Sequence, residues 1–331
     1  MTLIRPGRDA DSPGVIALIS RCWTDYNYTL NVEADAPELL TPAAYYAAQR
    51  GALWIAEDSG AVTGMVAAAP RAADTWEVCR VYVHPDWHGT GLAHRLLDTA
   101  EAHALAAGAT RLQLWTDTQF DRAHRFYEKR SYVRTGPIRI LETDPDILEF
   151  GYAKPVDGVA MLDAAAAASA VRRLSDNLVA CVDDSGPAPY LPPLATAAAQ
   201  EHMRAVASDV AQGRCLLLGA WFRGLLAGMV RIKLDTPPNQ RHRAEVADLL
   251  VRPDFRRRGL ASSLMRDGEA EAARTGRTLL TLNAEANGVA VRLCARLGWT
   301  VAGEIPGYTV DAARLPAAAA ILFKLVDRCG T

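Results

Sequence analysis

EVCRVYVHPDWHGTGLA, residues 77–93, and EVADLLVRPDFRRRGLA, residues 245–261, are one pattern written twice. Glu77 aligns with Glu245, an offset of 245 − 77 = 168, and Pro85 with Pro253 and Gly91 with Gly259 keep that offset. Downstream, AHRFYEKRSY (123–132) matches AVRLCARLGW (290–299), the offset slipping by one as a single deletion in a loop produces. A unit of this length is a domain, because solenoid repeats run at roughly 20–50 residues. Each copy reads as an apolar strand stopped near a Val-x-Pro, then a glycine-containing loop, then a helix. The chain therefore divides into two domains, expected at 1–155 and 156–331, with the Pro and Gly of KPVDG (154–158) at the junction.

Composition agrees with this division. With 331 residues, 50% of them hydrophobic and 22% charged, the chain can bury two cores of ordinary size. A net charge of −2 gives no global attraction to nucleic acid or an anionic membrane, so neither is an expected partner. Cys22, Cys79, Cys181, Cys215, Cys294 and Cys329 form no CxxC pair, which fits reduced thiols rather than a disulfide framework or zinc site. The start MTLIRPGRDADSPG has no long apolar region behind it, and no apolar run approaches bilayer length. The expected location is cytoplasmic.

Around the repeated stretch the element order also repeats. In the first half TLIRP is a strand, SPGVIALISRCW and TPAAYYAAQR are helices entered through Ser-Pro and Thr-Pro, and ALWIAED with AVTGMVAAAP is a hairpin. TWEVCRVYV is the strand before the loop, and the helix after it carries Leu92, Leu96, Leu97, Ala100 and Ala104 on one face. RLQLWT, a helix from Asp121 to about Arg130, SYVRTG and ILEFGYAK follow. The second half gives a helix from Met161 to Val182, strands GRCLLLGAWF, LLAGMVRIKL and AEVADLLV, helix LASSLMRDGEAEAARTG and strand RTLLTLNA. Alanine-rich stretches at 164–170 and 317–320 are low in complexity, and the first needs no function, since alanine favours helix on its own. DDSGPAPYLPPL (183–194) is a proline-rich loop, either a plain connection or the lining of a substrate opening.

The chemistry lies where strand gives way to helix. There, unpaired backbone N–H groups and the positive end of a helix dipole face outward together, which makes an anion site. Arg256-Arg257-Arg258-Gly259-Leu260-Ala261 adds charge to it, and His88-Gly89-Thr90-Gly91-Leu92-Ala93 is equally open to close approach but less basic. A lone glycine turn is more often a tight connection than a ligand cradle, and recurrence in both halves favours the cradle. HGTGLAHR lacks the third glycine and the later acid of a dinucleotide fingerprint, and neither copy has the Gly-Lys-Ser/Thr of a nucleotide-triphosphate loop. Histidines 84, 88, 94 and 103 do not share metal-ligand spacing on one helix face, so no metal is expected.

What remains, Arg/Gln-x-x-Gly-x-Gly/Ala behind a strand ending in Val-x-Pro, resembles motif A of the GNAT acetyltransferases, and AHRFYEKRSY resembles their motif B. The resemblance covers nearly the whole chain. It implies an α/β fold, in detail an α+β mixed sheet: two tandem GNAT-like domains, each a twisted, mostly antiparallel sheet flanked by helices. It also implies acetyl-CoA as co-substrate, with no metal, and transfer of an acetyl group to a primary amine. Val81, Tyr82 and Val83, and Leu249, Leu250 and Val251, would meet the pantetheine arm. The amides of His88 to Ala93 and Arg256 to Ala261 would hold the pyrophosphate, and Asn287 matches an Asn that contacts CoA. Tyr127 stands at the family's proton-donor position, whereas spacing alone reads it as a core aromatic beside Phe126.

The copies depart from the pattern in opposite places. The second has Cys294 where the first has Tyr127. The first has His88 at the Arg/Gln position, Phe120 at the Asn position and Ser131 where Gly is usual. The first domain is therefore expected to be catalytic, and the second a degenerate or independently active partner. Cys294 reads as a small buried thiol in preference to a nucleophile, and Tyr308 as another route to a proton. Glu77 and Glu245 are the candidate bases, with Asp248 a third, and each Glu reads equally as a salt-bridged strand carboxylate. The alternatives are an active second domain, an acyl-CoA-binding sensor or scaffold, and a protein acetyltransferase. Aromatics Trp23, Tyr26, Tyr28, Tyr45 and Tyr46 favour a small-molecule amine as acceptor, and the chain as monomer or homodimer is left open.

Overall fold

The computed structural model describes residues 2–141, 144–184, 190–311 and 313–327, with backbone alone for 144–146. Cys329 and residues 185–189 of the proline-rich loop lie outside the described residues. The chain forms two compact units, Met1–His124 with Gly136–Val156, and Arg125–Thr135 with Asp157–Thr331. An expected first domain of 1–155 takes no account of the excursion at 125–135, which groups with the second unit.

Through the first copy run β1 (Leu3–Pro6), α1 (Ser12–Thr24), α2 (Val32–Asp35), α3 (Pro42–Ala48), β2 (Ala52–Asp58), β3 (Ala61–Pro70), β4 (Thr75–Val83), α4 (Leu92–Ala106), β5 (Arg111–Asp117), α5 (Asp121–Lys129), β6 (Val133–Arg134), β7 (Arg139–Leu141) and β8 (Asp144–Pro155). The second copy comprises β9 (Gly158–Met161), α6 (Ala164–Asp183), α7 (Thr196–Ala211), β10 (Cys215–Phe222), β11 (Leu225–Lys233), β12 (Arg243–Val251), α8 (Leu260–Arg274), β13 (Leu279–Glu285), α9 (Val289–Arg296), β14 (Thr300–Val310) and β15 (Pro316–Leu325).

The first sheet runs β1-β2-β3-β4-β5-β8 with β7 on β8, and the second β14-β15-β13-β12-β11-β10-β9. Among the described pairings β4–β5 and β12–β13 are parallel and the rest antiparallel. This is the mixed sheet the sequence led us to expect.

Residues 63–69 of β3 are all buried, an unbroken run that a sheet covered on both faces requires. On one face Val15, Leu18 and Ile19 of α1 and Tyr46 of α3 pack with Leu53, Ile55, Met65 and Ala67. On the other, a Cβ at Gly64 would meet Leu96 of α4 at 2.8 Å, so the helix lies directly on the strand. The second sheet repeats the sandwich. Leu217, Trp221, Met229 and Leu250 face α6 and α7, while Leu218, Val230, Ile232 and Val246 face α8.

One sequence expectation shifts. The helix expected from Met161 begins at Ala164, because Met161 pairs with Leu218 in the sheet and Asp163 caps the helix by accepting from the Ala166 N–H at 2.8 Å. Alanines 317–320 are strand, held between β13 and β14, where paired neighbours on both sides override alanine's helical preference.

Candidate active site

In each unit the parallel pair parts almost as soon as it forms. β4 meets β5 only at Thr75↔Arg111, Trp76↔Leu112 and Glu77↔Gln113, although β5 stays paired to β8 as far as Asp117↔Glu149. β12 meets β13 only at Arg243↔Leu279, Ala244↔Leu280 and Glu245↔Thr281, while β13 continues with β15 to Glu285↔Ala319. The later halves of β4 and β12 thus turn backbone groups toward an opening. Main-chain donors and acceptors demand partners, so such an edge is suited to an extended ligand rich in amides.

A bulge sits on the far side of the same strand. Met65↔Tyr82 is followed by Ala67↔Cys79, leaving an extra residue in β4, and Arg80 takes φ +53. Met229↔Leu250 is followed by Arg231↔Ala247, and Asp248 takes φ +47. Since 248 − 80 = 168, both copies place the left-handed residue at the same point of the pattern. The bulge fixes the strand parity that sequence left open. Cys79 and Tyr82 both reach the α1 face despite their odd spacing, and Glu77 shares that face with Cys79.

The loops agree in backbone and differ in charge. Gly91 (φ +84) and Gly259 (φ +83) form the N-caps of α4 and α8, and a Cβ on either would meet no atom within 4 Å. Glycine is needed there for its dihedral, and the space above it is open. Gly89 and Arg257 occupy the preceding left-handed position, at φ +80 and +63. His88 Nε2 donates to the Val83 carbonyl at 3.1 Å, and Arg256 Nε to the equivalent Val251 carbonyl at 3.2 Å. His88 thus makes the same tie as Arg256. Burial and nearby Arg122 lower the pKa of His88, favouring its neutral form, whereas Arg256 pairs with Asp184. Arg258 stacks over Phe222, 4.5 Å from the ring centre.

Around the first opening, side chains from α1 and the segment behind it reach both strand ends. Trp23 Nε1 donates to the Tyr82 hydroxyl at 3.1 Å, and the Tyr28 hydroxyl donates to Asp117 Oδ2 at 3.1 Å. The Gln119 backbone N–H holds Asp117 Oδ1 at 2.8 Å, and Gln119 Nε2 donates to Tyr28 at 2.9 Å. Sequence reasoning missed Asp117. The available signal was an acid closing the alternating strand RLQLWTD, at the open end of a parallel pair.

The candidate bases are both engaged. Glu77, at the last paired position, accepts from Arg71 at 3.0 Å and Gln113 at 3.2 Å. Glu245 is half-buried and accepts from Lys233 at 3.1 Å. Tyr127 is buried in the 125–135 stretch, with Phe126 and Tyr132 rings at 5.3 and 6.0 Å. Asn287 turns the chain between β13 and α9 at φ +62, and its carbonyl accepts from Arg292. Tyr308 is exposed on β14.

Cys294 is fully buried in the α8 core, where burial, then nearby Glu269, pushes its thiol up to about 11. A thiol so placed carries little thiolate at neutral pH. Iodoacetamide at pH 8 is therefore expected to leave Cys294 unmodified in the folded chain and to label it only in urea, as peptide mass spectrometry would read. Among the described residues there is no group of three or more His, Cys, Asp or Glu placed to hold a metal, and no helix long and apolar enough to cross a membrane.

The family model described as acetyltransferase (GNAT) matches residues 15–132 and again 183–299. The chain belongs to the GNAT acetyltransferase family. It is an acetyl-CoA-dependent acetyltransferase with the family domain in tandem. Solved structures of single-domain length are similar to it at low identity. An acetyltransferase from Streptococcus agalactiae is 20% identical over 46% of this chain and 98% of its own, with a TM-score of 0.42. YncA of Salmonella typhimurium, a putative acetyltransferase solved with its cofactor acetyl-CoA, is 17% identical over 53% of this chain and 97% of its own, TM-score 0.45. A ribosomal-protein-alanine N-acetyltransferase from Brucella melitensis is 15% identical over 51% and 99%, TM-score 0.44.

Proposed function

We propose that this acetyltransferase moves the acetyl group of acetyl-CoA to a primary amine of a small molecule, by direct attack in a ternary complex, with the first copy as a catalytic centre. The reading rests above all on the doubled geometry of strand opening, bulge and left-handed glycine loop. Val81 to Val83 and Leu249 to Val251 border the openings and would carry the pantetheine amides. His88 to Ala93, and Arg256 to Ala261, would hold the pyrophosphate at a helix N-terminus, and Asn287 would contact CoA.

The buried Asp117, bonded to Tyr28, supports an acceptor that brings a positive charge to an aromatic wall. The amine must lose a proton before it attacks. Glu77, held by Arg71 and Gln113, would take it through a water. A backbone N–H beside the β4 bulge would steady the oxyanion. Tyr127 would then protonate the departing thiolate, a transfer that needs local help because a phenol titrates near ~10 and a thiol near ~8.5.

Tyr127→Phe is the direct test. Added to a chain whose second loop is silenced by Gly259→Glu, it is expected to lower CoA release over a panel of primary amines about 100-fold, with acetyl-CoA binding by calorimetry unchanged. Unchanged turnover in that folded variant would remove Tyr127 from the mechanism.

A further inference from the structure

The second unit carries, on the strand that borders its opening, an acid bonded to a histidine of α7, a pair with no counterpart in the chemistry proposed for the first copy. We infer that His202 on α7, oriented by Asp248 on β12, is the base that deprotonates the acceptor amine in the second unit, which makes that unit an independently active acetyltransferase site. The inference rests on acetyl transfer as the activity of the fold.

Asp248 occupies the bulge, three residues beyond the last position of β12 that is paired to β13, so it stands on the stretch bordering the opening. Its side chain is only 3% exposed, and its Oδ2 lies 3.3 Å from His202 Nε2 and 2.7 Å from Arg231 Nε. Burial works against the charge of Asp248, yet the His202 hydrogen bond and the charge of Arg231 outweigh it, holding the carboxyl below its usual pKa. Arg231 by itself would neutralise this acid. The histidine is a second partner that neutralisation does not require.

Nor does the fold require an acid there. The equivalent residue of the first copy, Arg80, adopts the same left-handed conformation with the opposite charge and pairs with Glu38. The bulge demands a dihedral, and the choice of aspartate beside histidine is an addition to that demand. His202 meets Asp248 through Nε2, so in the tautomer that donates there Nδ1 is the nitrogen left to accept a proton. Tyr190 places its ring edge-on to the imidazole at 5.5 Å. The other charged or titratable groups around the pair are Arg231 and Lys233 on β11, Cys215 on β10, and Asp209 of α7 with Arg214 beyond it.

The step balances without another reactant. An N–H bond of the substrate ammonium breaks, its proton passes to His202 Nδ1, and the freed nitrogen lone pair attacks the thioester carbonyl carbon. The C–S bond then breaks with its electron pair on sulfur, and the nitrogen's next proton compensates the thiolate as the amide forms. The imidazolium, steadied by Asp248, returns its proton to solvent. Glu245, out on the Lys233 pair, has no part in this route.

The test uses the full chain carrying Gly91→Glu, which silences the first loop, and follows CoA release from acetyl-CoA with a panel of linear diamines and amino-acid amides. The rate kcat/KM is expected to rise with pH through one single-proton limb. Adding His202→Gln should lower kcat/KM about 100-fold and abolish the limb, with acetyl-CoA affinity unchanged. Adding Asp248→Asn should move the limb to lower pH, because the imidazolium loses its counter-charge. Titration of the His202 ring by NMR in the unsubstituted chain gives a second reading independent of folding of the variants, and it must match the kinetic limb. A limb that survives His202→Gln, or a ring pKa that does not match it, overturns the assignment. No turnover in the Gly91→Glu chain while the unsubstituted chain is active overturns it too and leaves acetyl transfer standing. No turnover in either chain fails the transfer reading and this inference together.

Discussion

Gly259→Glu is expected to abolish acetyl-CoA binding at the second loop, and Gly91→Glu at the first, so that calorimetry counts two sites on the unsubstituted chain and one on each variant. Two effects add. Gly259 and Gly91 hold φ near +83 and +84, where an L side chain costs roughly 1–2 kcal/mol. No atom lies within 4 Å of the added Cβ, so the side chain projects into the open space above the first turn of α8 or α4. There its carboxylate would occupy the end of the helix dipole that an anionic ligand needs, and repel what it did not displace. A loss of about 100-fold or more at the affected site follows, equivalent to about 2.7 kcal/mol. Loss in one variant alone would show that only one loop binds the cofactor. Loss in neither would mean that the glycines serve the turn and nothing else.

The features legible in sequence were those that constrain residue type. A left-handed N-cap wants glycine, so the two loops announced themselves. A helix packed on a sheet wants one apolar stripe, and Leu92, Leu96, Leu97, Ala100 and Ala104 are all buried as that stripe requires. The bulge was not legible, because Arg80 and Asp248 carry no mark of positive φ and only the register against β3 and β11 shows the extra residue. Without the bulge the face of Glu77 was undetermined.

The His202–Asp248 pair was hidden for a different reason. Its members are 46 positions apart, and neither belongs to a recurring motif, so only the folded chain joins them. Ser131 shows the converse. Its departure from the glycine of the pattern was visible in sequence, yet it holds φ +66 where Gly298 holds +80, and the turn survives the substitution.

Trp221→Ala is expected to destabilise the second unit by about 3–5 kcal/mol, more than the backbone strain of either loop substitution. The indole is fully buried among Val133, Leu226 and Met229, and its ring fills the space that a side chain at Gly219 would need, 2.8 Å from where that Cβ would lie. Its Nε1 donates to the Ser131 carbonyl at 3.0 Å, so removal leaves a cavity and an unmet buried acceptor together. Trp221→Phe keeps most of the ring and should cost about 1–2 kcal/mol.

Two neighbours of that indole, Val133 and Ser131, come from the 125–135 stretch that the repeat assigns to the first copy, and Arg134 N–H adds a bond to Ser169 of α6 at 2.9 Å. A fragment beginning at residue 157 therefore lacks part of its own core. It is expected to unfold at lower urea than the same residues in the full chain, by a margin comparable to Trp221→Ala, and Trp221→Ala should cost it less because the bond to Ser131 is already gone. Equal midpoints for fragment and full chain would show that the 125–135 stretch packs there without stabilising anything. A lower midpoint would explain in physical terms why two copies of one domain cannot be cut apart where their sequences divide.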